Sequence, residues 1–211
     1  MGIRDSVHED IKLGLPSREK YIDNYITTIE NLAKYGVKVI VYNFMPVFDW
    51  LRTDLAREIP EDGSNSLYYD EAELLGMTPL QIVENTARDS HGFTLPGWEP
   101  ERLKELEKVL KLYENVKPDD LRANYKYFLE RIIPTCEKCG VRMAVHPDDP
   151  AWPLLGLPRI AHPQADFDKI VAMVARSPTA ISLCTRPPAP PHPHHLPAPI
   201  RPLTRITLIP C

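Results

Sequence analysis

The chain alternates short, continuous apolar runs with stretches of helical spacing, and this rhythm limits its folds more than any other feature. Val37–Tyr42, Arg142–Val145 and Thr179–Leu183 are the strand-like runs. Ile22, Ile26, Ile29 and Ala33 keep helical spacing before the first, and Gly36 stops that helix; Ser17 is its expected N-cap. Helical spacing returns through Leu103, Leu106 and Leu110, then through Leu121, Tyr125, Phe128, Leu129 and Ile132, and again from Gln164. A strand without polar alternation is buried on both faces, which is the signature of a parallel sheet covered by helices. The fold class is therefore α/β.

Polar chemistry gathers where these strands end. His146 opens the run His146-Pro147-Asp148-Asp149-Pro150 directly after one strand, and Cys184 follows another. An imidazole and a thiolate at neighbouring parallel strand ends are natural ligands for a borderline transition metal, although two ligands are an incomplete set. Sites at strand C-termini suit a (β/α)8 barrel, but only three or four units can be counted where a barrel needs eight. The prolines flanking Asp148 and Asp149 are equally suited to an ordinary rigid turn. Cys136-x-x-Cys139 sits at a helix end with no second copy of the motif, so two incidental cysteines are the better reading. Residues 43–92 read as an irregular insertion with one hairpin arm near Ser66–Tyr69, shaping a mouth or a subunit contact. Tyr42, Asn43, Asp49, Trp50, Arg52 and Asp54 cluster at and just after the strand ending at Tyr42, a position that fits a substrate-facing loop, and Arg52 could clamp a carboxylate with its fork. Inward packing of Phe44, Phe48 and Trp50 explains the same cluster equally well.

Composition narrows the function classes. The net charge of −4 understates the acidity of residues 1–185, because residues 186–211 hold three arginines and no acid. An acidic body is a poor match for a nucleic-acid backbone. No apolar run approaches the roughly 20 residues of a membrane helix, and no signal-peptide pattern opens the sequence. Four cysteines without a secretory signal point to reduced thiols and a cytoplasmic setting. Met1-Gly2 with Ser6 fits a myristoylation pattern too short to carry weight. Residues 186–211 contain nine prolines beside His192, His194 and His195, and are expected to form a disordered or polyproline-like tail. The domain reading is thus residues 1–185 and a separate tail, 186–211.

The segments VHEDIKLGLPSREKYIDNY, HPDDPAWPLLGLPRI and ISLCT, with the sequence between Val7 and Thr185 that carries them, closely resemble the mannonate dehydratase family. The resemblance implies a xylose-isomerase-like TIM-barrel lyase of hexuronate catabolism. It implies removal of water from D-mannonate to give 2-dehydro-3-deoxy-D-gluconate, with Mn2+ or Fe2+ as cofactor. His146 and Cys184 match metal ligands of the family pattern, and Arg52, Asp148 and Arg159 are the substrate-binding candidates. A homo-oligomer is compatible with this reading; a nucleic-acid or membrane partner is not expected. No catalytic proton-transfer residue is assigned, because those residues and the remaining ligands are expected in the family's C-terminal half. After Thr185 the family continues Gly-Ser-Leu-Gly, whereas this chain has Arg186-Pro187-Pro188-Ala189. The expectation is an incomplete barrel lacking its earliest strands, with weak Mn2+ binding and turnover by the chain alone in doubt. Two other readings stand beside it: a non-catalytic fragment associating with intact subunits, and another metal-dependent TIM-barrel enzyme such as a sugar isomerase.

Overall fold

The computed structural model describes residues 4–78, 81–82, 84–85, 88, 105–149, 152–153, 155–161, 164–173, 179–183 and 208–210. Five strands form one parallel sheet: β1 (Arg4–Ser6), β2 (Val39–Asn43), β5 (Arg142–Val145), β6 (Thr179–Leu183) and β7 (Leu208–Pro210), in that spatial order. A two-stranded antiparallel hairpin, β3 (Asp54–Glu58) and β4 (Asn65–Tyr68), stands apart from it. The described helices are α1 (Glu9–Leu13), α2 (Arg18–Lys34), α3 (Glu71–Leu74), α4 (Leu106–Tyr113), α5 (Pro118–Cys139) and α6 (Gln164–Met173).

The main core follows from strand alternation. Successive strand residues point to opposite faces of the sheet. Ile40 and Tyr42 of β2, with Met143 and Val145 of β5, join one buried cluster with Ile22, Tyr25 and Ile29 of α2 and Leu121, Tyr125, Phe128 and Ile132 of α5. The helices therefore cover that face. Burying each such side chain contributes about 1.5–3 kcal/mol. Val41, Asn43, Ala144 and His146 consequently project to the opposite face. Tyr42 pairs with Val145 in the parallel register, and His146 N–H continues the ladder by donating to the Tyr42 carbonyl at 2.7 Å.

Helix ends follow local chemistry. Pro118 starts α5 where a missing N–H costs nothing, the Asp120 carboxylate accepts the Lys117 N–H at 2.9 Å, and Gly140 ends the helix at φ 62°. Gly14 closes α1 at φ 69°, and a Cβ added there would meet Asn124 Oδ1 at 2.5 Å. Only glycine allows α1 to dock this tightly against α5.

Several sequence expectations are corrected. Ser17 precedes α2 as foreseen but makes no capping bond, because its backbone is already helical (φ −68°, ψ −12°) rather than extended; its hydroxyl donates to Asp10 Oδ2 at 2.5 Å. Leu208–Pro210, inside the stretch read as disordered tail, pair with β6 through Ile181↔Leu208 and Ser182↔Ile209. The strand forms despite the prolines that surround it in the sequence. Strand β1 was not foreseen either. The expected hairpin arm is found as β4, and its charged partner β3 is the arm that apolar patterning could not reveal.

Candidate metal and substrate site

His146 directly follows β5 on the face away from the helices, half-buried, with Nδ1 2.7 Å from the carbonyl oxygen of Pro147. A carbonyl can only accept, so this contact places a proton on Nδ1, and in the neutral ring the lone pair is then on Nε2. That tautomer is the one a metal-binding imidazole needs. The Pro147 peptide thus orients the imidazole. Cys184, its expected companion, lies outside the described residues. Among the described residues no three His, Cys, Asp or Glu side chains converge to hold an ion. His146 fits a borderline divalent metal; the donor set around it is not complete within the described residues.

Each proposed substrate residue has a definite place. Arg52 is buried, and its Nη1 and Nη2 donate to Asp149 Oδ1 and Oδ2 at 2.9 and 2.6 Å, with Nη1 also on the Leu51 carbonyl. The fork expected for a substrate carboxylate holds a protein carboxylate instead, because a buried guanidinium requires a counter-ion. Asp148 is also buried, and one oxygen, Oδ2, accepts the backbone N–H groups of Ile160 and Ala161 at 2.9 and 2.7 Å. Asp148 N–H returns a bond to the Ala161 carbonyl at 2.9 Å. This side chain clasps the far end of its own loop.

Arg159 differs from both. It is 4% exposed and donates through Nη2 to the Phe48 carbonyl at 3.0 Å, while Nε and Nη1 are buried without a hydrogen-bond partner. Burial pushes its pKa below the ordinary arginine value, and the carboxylates of Asp148, Asp149, Asp49 and Glu9 act in the opposite direction. Unsatisfied donors on a buried cation mark a place where an anionic or oxygen-rich group is wanted.

The loop after β2 is fastened from two sides. Lys12, fully buried, donates to Glu9 Oε1 at 2.8 Å and to the Met45 carbonyl at 2.7 Å. Glu9 also accepts from Tyr113 Oη at 2.5 Å and from Val47 N–H at 3.3 Å. Val47 sits at φ 60°, a strained region for a β-branched residue that costs about 1–3 kcal/mol. From the β5 side, Asp149 N–H meets Met45 Sδ at 3.4 Å, alongside the Arg52–Asp149 pair and the Arg159–Phe48 bond. Phe48, Leu51 and Leu157 pack with Tyr113 and Leu106 in a second small core beneath the loop.

Sequence reasoning passed over Asn43, the last residue of β2, except as one member of a polar cluster. It is 2% exposed, and its Oδ1 accepts the Met45 N–H at 3.2 Å while Nδ2 has no partner. An apolar run ending in asparagine was the available signal. Cys136, read as an incidental helix-end cysteine, is fully buried, and burial lifts its thiol pKa to about 12.

A histidine and polar loops thus gather at the strand C-termini of a parallel α/β sheet, the edge at which such folds carry their sites. The D-mannonate dehydratase (UxuA) family pattern matches residues 4–204, and the chain belongs to that family. It is 75% identical over 180 residues to the mannonate dehydratase of Lachnoclostridium phytofermentans, covering 85% of this chain and 50% of that protein. Mannonate dehydratase 1 of Bacillus licheniformis is 52% identical over 180 residues, covering 85% of this chain and 49% of the relative. The crystal structure of mannonate dehydratase from Streptococcus suis serotype 2 superposes with a TM-score of 0.73 at 37% identity, over 87% of this chain and 46% of that one. The chain spans about half the length of the curated relatives it matches.

Proposed function

We propose that this chain carries one part of a metal-dependent dehydratase site that removes water from D-mannonate to give 2-dehydro-3-deoxy-D-gluconate. Its five-stranded sheet would be an arc of a (β/α)8 barrel, with the site at the strand C-termini. The observation that carries the reading is His146: a strand-end imidazole whose Nδ1 proton is held by the Pro147 carbonyl, within a chain of this family. His146 would hold Mn2+ or Fe2+ together with Cys184. When bound, the ion would supply electrostatic stabilisation to charge developing on the substrate carboxylate as the C2 proton leaves. Arg159, with Nε and Nη1 unpartnered, is the residue available to bind that carboxylate, while Arg52 and Asp148 hold the surrounding loops in register. No helix of the described residues is long and apolar enough to cross a membrane, and a cytoplasmic, self-associating protein fits the reading.

The test is Mn2+ binding followed by product analysis with D-mannonate and with an aldose. Mn2+ affinity that falls at least about tenfold in His146→Ala supports the reading, since losing a ligand removes well over 1.4 kcal/mol. Isomerised aldose in place of dehydrated mannonate would move the assignment to a sugar isomerase. A second reading is a non-catalytic chain that associates with intact dehydratase subunits. Co-purification with a full-length dehydratase, without turnover by the chain itself, would select it.

A further inference from the structure

We propose that Asn43 is a ligand-positioning residue, whose Nδ2 donates to an oxygen of the polyhydroxy acid bound beside His146. The inference rests on the metal-site reading above and adds a residue that neither strand-end spacing nor the family pattern assigned.

Three observations meet at this side chain. First, alternation puts it on the right face. Ile40 and Tyr42 face the helices, so Asn43 faces the other way, as His146 does on β5. Second, register puts it on the adjacent strand at the same level. Tyr42 pairs with Val145, and His146 N–H bonds the Tyr42 carbonyl, so the residues following that pair, Asn43 and His146, end neighbouring strands. Third, the amide orientation is fixed by chemistry. Met45 N–H can only donate, so the atom 3.2 Å from it is the carbonyl oxygen, and the remaining Nδ2 is a donor. That donor is buried without a protein partner.

Native folds rarely leave a buried amide donor unused, and exceptions concentrate where a ligand completes the bonding. An Asx-type turn, Asn43 Oδ1 to Met45 N–H, fixes the amide before any ligand arrives. Met45 is in turn held by the buried Lys12. Asn43 is therefore a preorganised neutral donor. Its matching ligand group is a hydroxyl or carboxylate oxygen of a sugar acid rather than a cation.

The test compares wild type, Asn43→Ala, Asn43→Asp and His146→Ala in the same 211-residue chain. Asn43→Asp preserves the turn onto Met45 N–H while replacing the donor by an oxygen, and serves if the alanine variant folds poorly. Mn2+ uptake is followed by loss of the free-ion electron paramagnetic resonance signal. D-mannonate binding to the Mn2+-loaded chain is followed by calorimetry. Both Asn43 variants are expected to keep Mn2+ affinity within about twofold and to lose about tenfold or more in D-mannonate affinity, the scale of one buried hydrogen bond. D-mannonate affinity within about twofold of wild type in both variants, with Mn2+ binding lost in His146→Ala, would overturn the inference and leave the metal site standing. Unchanged Mn2+ affinity in His146→Ala, or no Mn2+ uptake by wild type, would overturn the metal-site reading and this inference with it.

Discussion

Asp148, a substrate-binding candidate, also makes a loop clasp whose strength can be measured. Its Oδ2 alone accepts both the Ile160 and Ala161 N–H groups, and both of those residues are 1% exposed. Asp148→Ala would leave two donors buried without an acceptor. Bonds to a charged acceptor are worth about 1.5–3 kcal/mol each, so the loss should be about 3–5 kcal/mol after partial relaxation. Asp148→Asn is a sharper probe, because an amide oxygen in the Oδ2 position can still take both N–H groups. It forfeits the charge assistance, about 1–2 kcal/mol, together with the carboxylate's attraction for the buried Arg159 guanidinium. Urea unfolding followed by circular dichroism, with m-values compared across variants, reads both numbers. A domain stabilised by about 5–15 kcal/mol would show the alanine change as a large shift in midpoint. An alanine variant within about 1 kcal/mol of wild type, or an asparagine variant as damaged as alanine, would refute the clasp.

Three further outcomes follow from the core. The hydroxyls of Tyr42 and Tyr125 face each other at 2.5 Å in full burial, so either single Tyr→Phe change should cost about 1–3 kcal/mol and the double change much less; additive losses in thermal or urea unfolding would contradict this. Burial raises the pKa of Tyr42 and Tyr125 above 10.0, and that of Cys136 from 9.0 to about 12. Groups with raised folded values contribute their full stability below the unfolded pKa and lose it as pH rises. Stability should therefore hold to about pH 9 and then fall, by up to about 1.4 kcal/mol per pH unit for each group that ionises only in the unfolded chain; equal urea midpoints at pH 8 and pH 11 would exclude it. Gly14→Ala should destabilise by more than about 1 kcal/mol, since it combines a positive φ with a 2.5 Å clash against Asn124. An unchanged melting temperature would show that α1 does not dock as described.

Much of the scaffold was legible because burial writes itself into periodicity. The apolar faces of α2 and α5 and the β-branched run of β2 could be read directly, and Gly36 and Gly140 bounded them. Strand β1 was not legible: Arg4-Asp5-Ser6 carries no apolar signal and becomes a strand only because β2 offers it an edge. The same holds for β3, whose Asp-Leu-Ala-Arg-Glu sequence lies on an exposed hairpin. At the site, position relative to strands was readable and partnership was not. His146 could be placed from the end of its strand. That Arg52 would spend its fork on Asp149, a residue 97 positions away, depends on how two loops meet and has no local sequence mark. Asn43 looked like one polar residue among several until its second amide atom was found without a partner.

The loops after β2 and β5 share the Arg52–Asp149, Met45–Asp149 and Phe48–Arg159 contacts, so they cannot shift independently. They form one stiff lip, and a disturbance on either side is transmitted to the other as displacement rather than absorbed. A reporter on the β2 side, such as Trp50 fluorescence, should therefore register what happens at His146 on the β5 side. A substitution chosen to reshape one loop will carry the other with it.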